Sequence, residues 1–299
     1  MTAPRRKTVL VIGGPTASGK SGLALSLAGK TGGVVINADS MQLYQGLPLL
    51  TAQPSREDRE RAPHRLYEAL GPDDSCDAAR WRDMALAEIE KTDALPIIVG
   101  GTGFYIKTLL KGISPMPDVP QGVREKLAAL QKKLGNPGFH RELAKRDPVM
   151  AAKLDPFNTQ RLVRAFEVLE ATGRSLAEWQ SLPPTPPPAH LKFITVVLLP
   201  ERETLYKNCD GRFGAMLEKG ALDEVRDFSG PASSPLCKAL GYPELRAHLD
   251  ERLTLEEAER KARISTHRYA KRQVTWFRHQ MTADLVLPVP DAERVLPLL

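Results

Sequence analysis

The run Gly14-Pro-Thr-Ala-Ser-Gly-Lys-Ser21 matches the spacing G-x-x-x-x-G-K-[ST]. In such a loop the backbone N–H groups from Gly14, Pro15, Thr16, Ala17, Ser18 and Gly19 onward, proline excepted, can surround an anionic oxygen, and the N-terminus of a following helix adds a favourable partial charge. Lys20 can meet phosphate as a point charge, and the Ser21 hydroxyl is placed to ligate Mg²⁺. A phosphate or diphosphate ligand follows. ATPases and kinases built on this loop commonly carry a second apolar strand ending in an aspartate that supports the metal. Here the candidate strand Ile97-Ile-Val99 runs instead into Gly100-Gly-Thr-Gly103. The acid at a strand end is Asp39, in Ile36-Asn-Ala-Asp-Ser-Met-Gln42. One carboxylate beside a diphosphate can hold Mg²⁺ through water or accept a proton from a nucleophile, and the residues alone leave both roles open.

These groups need elements to position them. Thr8 to Ile12 is a short β-branched and aliphatic run ending in Gly13-Gly14, the pattern of a buried parallel strand. A helix is predicted from Lys20 to about Lys30, stopped by Thr31-Gly32-Gly33. Val34–Ile36 and Pro96–Val99 are further buried strands, with a helix over Ala78–Lys91 between them. Strands alternating with helices imply a doubly wound parallel sheet whose ligand sits beyond the C-terminal strand ends. After Lys111 the pattern turns to helices without strands, at Val123–Leu134 and Asn158–Thr172, closed by the proline-rich connector Leu182–Ala189. Phe193–Leu199 reads as a returning strand and Asp284–Val289 as a late one. The expected fold class is therefore α/β, a P-loop parallel-sheet core over 1–112 and 191–299 with an inserted all-helical domain at 113–190.

With 299 residues and 42% apolar composition, the chain can fill a real core, which excludes a disordered or fibrous protein. Net charge is +6, too mild to prove a nucleic-acid partner, but it is unevenly spread. Residues 113–200 carry 12 basic and 8 acidic side chains, against 14 and 12 before them and 16 and 16 after. Cys76, Cys209 and Cys237 show no metal-ligand spacing and read as reduced thiols. Arg5, Arg6 and Lys7 precede an apolar stretch too short for a signal peptide, and no stretch is long enough to span a bilayer. A cytoplasmic protein without membrane attachment is expected.

Taken in order, Gly14–Ser21, Ile36–Tyr44, Ile98–Gly103, Gln160-Arg-Leu-Val-Arg164 and Tyr269-Ala-Lys-Arg-Gln-Val-Thr-Trp-Phe-Arg278 resemble the motifs of the tRNA dimethylallyltransferases, across roughly residues 8–280. The resemblance implies that the P-loop holds the diphosphate of dimethylallyl diphosphate rather than ATP, with Mg²⁺ neutralising the leaving group. It further implies that N6 of adenosine 37, beside the anticodon, attacks the prenyl C1 while Asp39 acts as general base. Thr16, Lys20 and Thr102 would contact diphosphate or the reacting centre. Holding a weakly nucleophilic amine in line with C1 would supply much of the acceleration, and the base must first leave its stack. Asp39, Ser40, Met41, Gln42 and Thr102 near the base, and Gln160, Arg161, Leu162, Val163 and Arg164 on the insertion, would meet the tRNA, with Arg124 as a further candidate. The family generally acts on tRNAs reading codons that begin with U, as a monomer.

At ~100° per residue, Lys261, Ser265, Arg268, Arg272 and His279 share one face of the late helix, opposite Ala270, Val274, Phe277 and Met281. That stripe is expected to face RNA phosphates, with Trp276 and Phe277 in the core. Two departures from the family pattern stand out. Lys238 occupies the place of a diphosphate-binding arginine, keeping charge but losing the bidentate fork. Gln45-Gly-Leu-Pro-Leu-Leu-Thr-Ala-Gln-Pro54 replaces the usual Asp-Ile-Gly-Thr-Ala-Lys stretch. The rivals are an enzyme prenylating free AMP, for which the basic insertion and stripe would be needless, a P-loop kinase or ATPase, and a non-catalytic RNA-binding module.

Overall fold

The computed structural model describes residues 6–299; Arg5, which opens the basic run, lies outside the described residues. Strand β1 (Lys7–Gly13), helix α1 (Lys20–Thr31), β2 (Val34–Asn37), α2 (Arg56–Arg61), β3 (His64–Arg65), α3 (Ala78–Lys91), β4 (Pro96–Gly100) and α4 (Gly103–Lys111) form the first part of the chain. Then come α5 (Gln121–Arg146), α6 (Pro148–Ala151), α7 (Thr159–Thr172) and α8 (Leu176–Ser181). The last part holds β5 (Leu191–Leu198), α9 (Arg202–Glu218), α10 (Ala221–Asp227), α11 (Tyr242–Leu249), α12 (Leu255–Gln280), β6 (Leu285–Leu287) and α13 (Ala292–Val295). The strands make one parallel sheet in the order β3-β2-β4-β1-β5-β6.

Alternation across the central strands explains the core. Leu10, Ile12, Ile97, Val99, Ile194 and Val196 lie in one apolar cluster with Leu23, Ala24, Leu27 and Ala28 of α1. Their neighbours Val9, Val11 and Ile98 are equally buried, as a sheet covered on both faces requires. α1 begins at Gly19 and ends at Gly32, both left-handed (φ 86° and 66°), a conformation that costs glycine least. α12 begins at a capping box, with the Thr254 hydroxyl accepting from the Glu257 N–H and the Glu257 carboxylate accepting from the Thr254 N–H. Its buried residues Ala258, Ala262, Thr266, Ala270, Gln273 and Phe277 follow the helical period.

Contacts divide the chain into two compact units: residues up to Leu110 together with Pro187–Leu299, and Lys111–Pro186. The boundaries stand two to four residues from those expected at 112/113 and 190/191. Within the second unit, Leu127, Phe139, Leu143, Leu162, Phe166 and Leu169 form a separate core, with Phe139 and Phe166 rings 5.2 Å apart. The helix expected over 123–134 is longer than the reading allowed. It continues to Arg146 as two arms broken at Gly135 (φ 63°, ψ 172°), two residues before Pro137. The late strand is shorter than expected, only Leu285–Leu287, because its pairing with β5 stops at Leu198.

Glu170, on α7, ties that helix to both arms of α5: its carboxylate accepts from Lys126 on one arm and from Arg146 on the other. Those hydrogen bonds, from Lys126 first, hold its carboxyl below the usual range. The stabilisation is present above the unfolded-state pKa and is lost as pH falls through the lower folded value. Glu170→Gln should therefore lower the thermal midpoint at pH 7 by an amount equivalent to about 1 kcal/mol or less, since both cations are largely exposed. In melts from pH 7 to 3, the gap to wild type should close in acid; a gap independent of pH would show that packing, not charge, carries the effect.

Candidate active site

β1 ends at Gly13 and the chain turns through Gly14–Gly19 into α1, so the loop's amides and the helix N-terminus face one space beyond the sheet. Ala17 holds φ 59°, a strained value for alanine, which helps wrap the loop. The Ser18 hydroxyl is buried there without a hydrogen-bond partner, an oxygen left over by the protein's own contacts. Lys20 Nζ donates to the Pro15 carbonyl at 3.2 Å. Burial pulls its ammonium down to about 8, opposed by the charge of Asp39 and reinforced by that of Arg212.

Arg212, on α9, is the site residue that the sequence reading missed. Its guanidinium donates to the Thr16 hydroxyl, and burial, opposed by the charges of Cys209 and Asp39, lowers its pKa. Lys238, expected to take the arginine role, is exposed at the end of the 3-10 turn Pro235–Lys238. A lone arginine on a mostly polar helix carries no sequence signal; only the packing of α9 beside the P-loop reveals it.

Asp39 follows β2. Its backbone N–H donates to Asn37 Oδ1 (2.8 Å), and its Oδ1 accepts from the Met41 N–H (3.1 Å). Asn37 is fully buried and also donates to the Asp39 and Leu66 carbonyls, while Trp81 donates to the Asn37 carbonyl. This network fixes the direction of the Asp39 side chain, whose Oδ2 lies toward Gly101. The Thr102 hydroxyl accepts from the Ser40 N–H at 2.9 Å, which ties the loop after β4 to that after β2. Burial, together with the charge of Asp39, raises the Tyr269 phenol from α12. Thus the P-loop, Asp39, Ser40 and Thr102 do converge.

Gln42 and Leu162 are placed otherwise than expected. Gln42 spends its amide donors on the Thr51 and Ala52 carbonyls (2.9 and 2.7 Å), closing the 45–54 loop rather than presenting them to a ligand. Glu224 holds the same loop by accepting from the Leu49 and Leu50 N–H groups. Leu162 is fully buried in the second unit's core, so its side chain has no route to RNA, and Val163 is half-buried. Gln160 and Arg161 are exposed on the first turn of α7, and Arg124 on that of α5. Arg164 is partly exposed, 3.8 Å from Glu167. On α12, Lys261, Arg268, Arg272 and His279 are exposed as expected, joined by Arg260, Lys271 and Arg278, whereas Ser265 turns inward to donate to Glu244. Phe277 is buried and Trp276 is half-buried.

For a metal, the site offers hard oxygens: the exposed Ser21 hydroxyl and the Asp39 carboxylate. Among the described residues no three His, Cys, Asp or Glu side chains gather as a cage. That donor set fits Mg²⁺, which keeps waters and takes substrate phosphate oxygens.

Sheet, loop and helix together define a P-loop α/β protein. A family profile described as IPP transferase matches residues 42–280, and one described as isopentenyl transferase matches residues 7–71. The chain is 53% identical to a tRNA dimethylallyltransferase of Paramagnetospirillum magneticum, over 92% of this chain and 89% of that protein. It is 52% identical to one of Rhodospirillum centenum, over 94% and 91%. The crystal structure of a tRNA isopentenylpyrophosphate transferase from Bacillus halodurans aligns with TM-score 0.67 and 31% identity, covering 98% of this chain and 94% of that one. That of a eukaryotic dimethylallyltransferase acting on tRNA aligns with TM-score 0.74 and 29% identity, over 91% and 70%. The chain belongs to the tRNA dimethylallyltransferase family of prenyltransferases.

Replacing Arg212 by Met should weaken inorganic pyrophosphate binding ~10–100-fold, the loss of one charge-assisted contact of about 1.5–3 kcal/mol. Calorimetric titration checks this; an affinity within about twofold of wild type would remove Arg212 from the anion site.

Proposed function

We propose that this protein transfers a dimethylallyl group from dimethylallyl diphosphate to N6 of adenosine 37 in tRNAs reading codons that begin with U, giving N6-(dimethylallyl)adenosine and diphosphate. Family membership supports the reaction class. The observation that carries the assignment of ends is the pairing of two half-buried cations, Lys20 and Arg212, with one strand-end carboxylate, Asp39. Diphosphate belongs with the cations and the P-loop amides; the nucleophile belongs with the carboxylate. The N6 lone pair forms a bond to C1, the C1–O bond breaks, its electron pair leaves on diphosphate, and the N6 proton passes to Asp39. Ser21, with Asp39 through water, would hold Mg²⁺, which supplies neutralising charge for the leaving group when bound. Thr102 keeps Ser40, and with it Asp39, in register beside the base.

RNA recognition is assigned to the exposed cations of α12 and, in the second unit, to Arg124, Gln160, Arg161 and Arg164. Phosphate contacts from such residues set position, while the target base is read after leaving its stack. No helix among the described residues is long and apolar enough to cross a membrane, and we place the protein in the cytoplasm with its substrate.

Incubation with radiolabelled dimethylallyl diphosphate, Mg²⁺ and either unmodified tRNA or AMP tests the reading: label should enter tRNA, and label entering only AMP would overturn it. Asp39→Ala should abolish transfer while leaving tRNA affinity within a few-fold; activity close to wild type would sink the general-base role. Arg164→Ala should weaken tRNA binding and flatten its salt dependence, because one fewer phosphate is neutralised. An unchanged salt slope would place Arg164 outside the phosphate-contacting surface.

A further inference from the structure

Three side chains of α12 sit on the ends of β1 and β4, and each sits where a glycine leaves room. A Cβ on Gly13 would lie 2.6 Å from the Phe277 ring, one on Gly103 would lie 2.2 Å from the Trp276 ring, and one on Gly101 would lie 2.5 Å from Gln273 Nε2. The turn Gly101-Thr-Gly103 is therefore a docking floor for this helix. Gln273 stands in its middle, only 6% exposed, with both ends of its amide used. Its Oε1 accepts from the Thr16 N–H at 2.8 Å, and its Nε2 donates to the Gly101 carbonyl at 2.8 Å. One planar amide thus clamps the P-loop to the loop that carries Thr102.

We infer that Gln273 is a positioning residue for group transfer, setting the separation between the leaving-group cradle and the base-side carboxylate. The inference rests on the function proposed above. On one side, Thr16 accepts from Arg212, which faces the diphosphate space. On the other, Gly101 precedes Thr102, whose hydroxyl holds Ser40 next to Asp39, and Asp39 Oδ2 lies toward Gly101. The two substrates enter this chain of contacts at opposite ends, and in-line displacement tolerates little error, since a shift of about 1 Å can cost ~10²-fold. Gln273 touches neither reacting atom in this scheme. Its contribution is the fixed length of a rigid amide whose donor and acceptor cannot be exchanged without facing carbonyl to carbonyl and N–H to N–H.

The test uses the full chain, unmodified tRNA and dimethylallyl diphosphate, with single-turnover rates and separately measured dissociation constants. Gln273→Met keeps length and bulk but removes both hydrogen bonds; the rate should fall about 10–100-fold while each dissociation constant stays within about threefold. Gln273→Glu keeps the acceptor for Thr16 and turns a second oxygen on the Gly101 carbonyl. Protonation restores an O–H donor there, so its rate relative to wild type at the same pH should rise as pH is lowered from 8 to 6. A Met variant within twofold of wild type, a loss confined to substrate affinity, or a Glu-to-wild-type ratio flat across pH would each overturn the assignment. Should the Met variant not fold, the pH ratio of the near-isosteric Glu variant decides alone. Asp39→Asn is run beside them: full activity there would refute the general base whatever Gln273 shows, whereas its loss together with unaffected Gln273 variants would refute only the positioning role.

Discussion

Two half-buried cations facing one carboxylate are the constraint on which the rest of the structure depends. Lys20 and Arg212 each lose hydration by burial, and Asp39 offsets them only in part. Such an arrangement is stable in a folded chain when the surroundings are held stiffly and when an anion completes it. The orphaned Ser18 hydroxyl in the same loop points the same way. Everything near the site serves to keep these charges where they are: the glycine-bounded turn into α1, the buried Asn37 that aims Asp39, and the Thr102 to Ser40 contact between neighbouring strand ends.

The parallel sheet is what allows this. With β2, β4 and β1 adjacent and parallel, their C-terminal ends open on one edge, so the loops after each strand become neighbours although they lie far apart in the chain. α12 then closes that edge. Its apolar and amide-bearing face presses into glycines, while its opposite face carries exposed arginines and lysines. A single helix therefore joins a surface suited to polyanion contact with the alignment of the chemical loops. α9 packs against it, with His267 hydrogen-bonded to Asp210 (2.8 Å) and stacked on Tyr206, which fixes the helix that delivers Arg212.

Much of this was legible in the residues themselves, for local reasons. The P-loop is contiguous, so its spacing alone specifies a cradle at a helix N-terminus, and Asp39 stands at a strand end where a carboxylate must reach the same edge. The inner strands were readable because burial on both faces demands unbroken β-branched runs, whereas β3, two polar residues at the sheet edge, carries no such run. The limits were equally physical. Gly135 breaks α5 without ending it, because the second arm resumes packing through Phe139 and Leu143 against α7. Gln42 and Leu162 lie inside motifs that the resemblance assigns to RNA contact, yet the amide donors of one go to loop carbonyls and the other is buried in the core.

What the sequence by itself determined is the set of local instructions: a phosphate cradle, a strand-end carboxylate, alternating strands and helices, and helices polar on one face. Their periodicity and spacing act within a few residues, and physical chemistry on that scale needs no knowledge of the fold. Only the tertiary structure decided which distant groups share the site. Arg212 rather than Lys238 reaches the P-loop, and Gln273, more than 170 residues beyond both, joins Thr16 to Gly101. Such contacts are set by how α9 and α12 lie on the sheet, a property of packing that no stretch of residues carries alone.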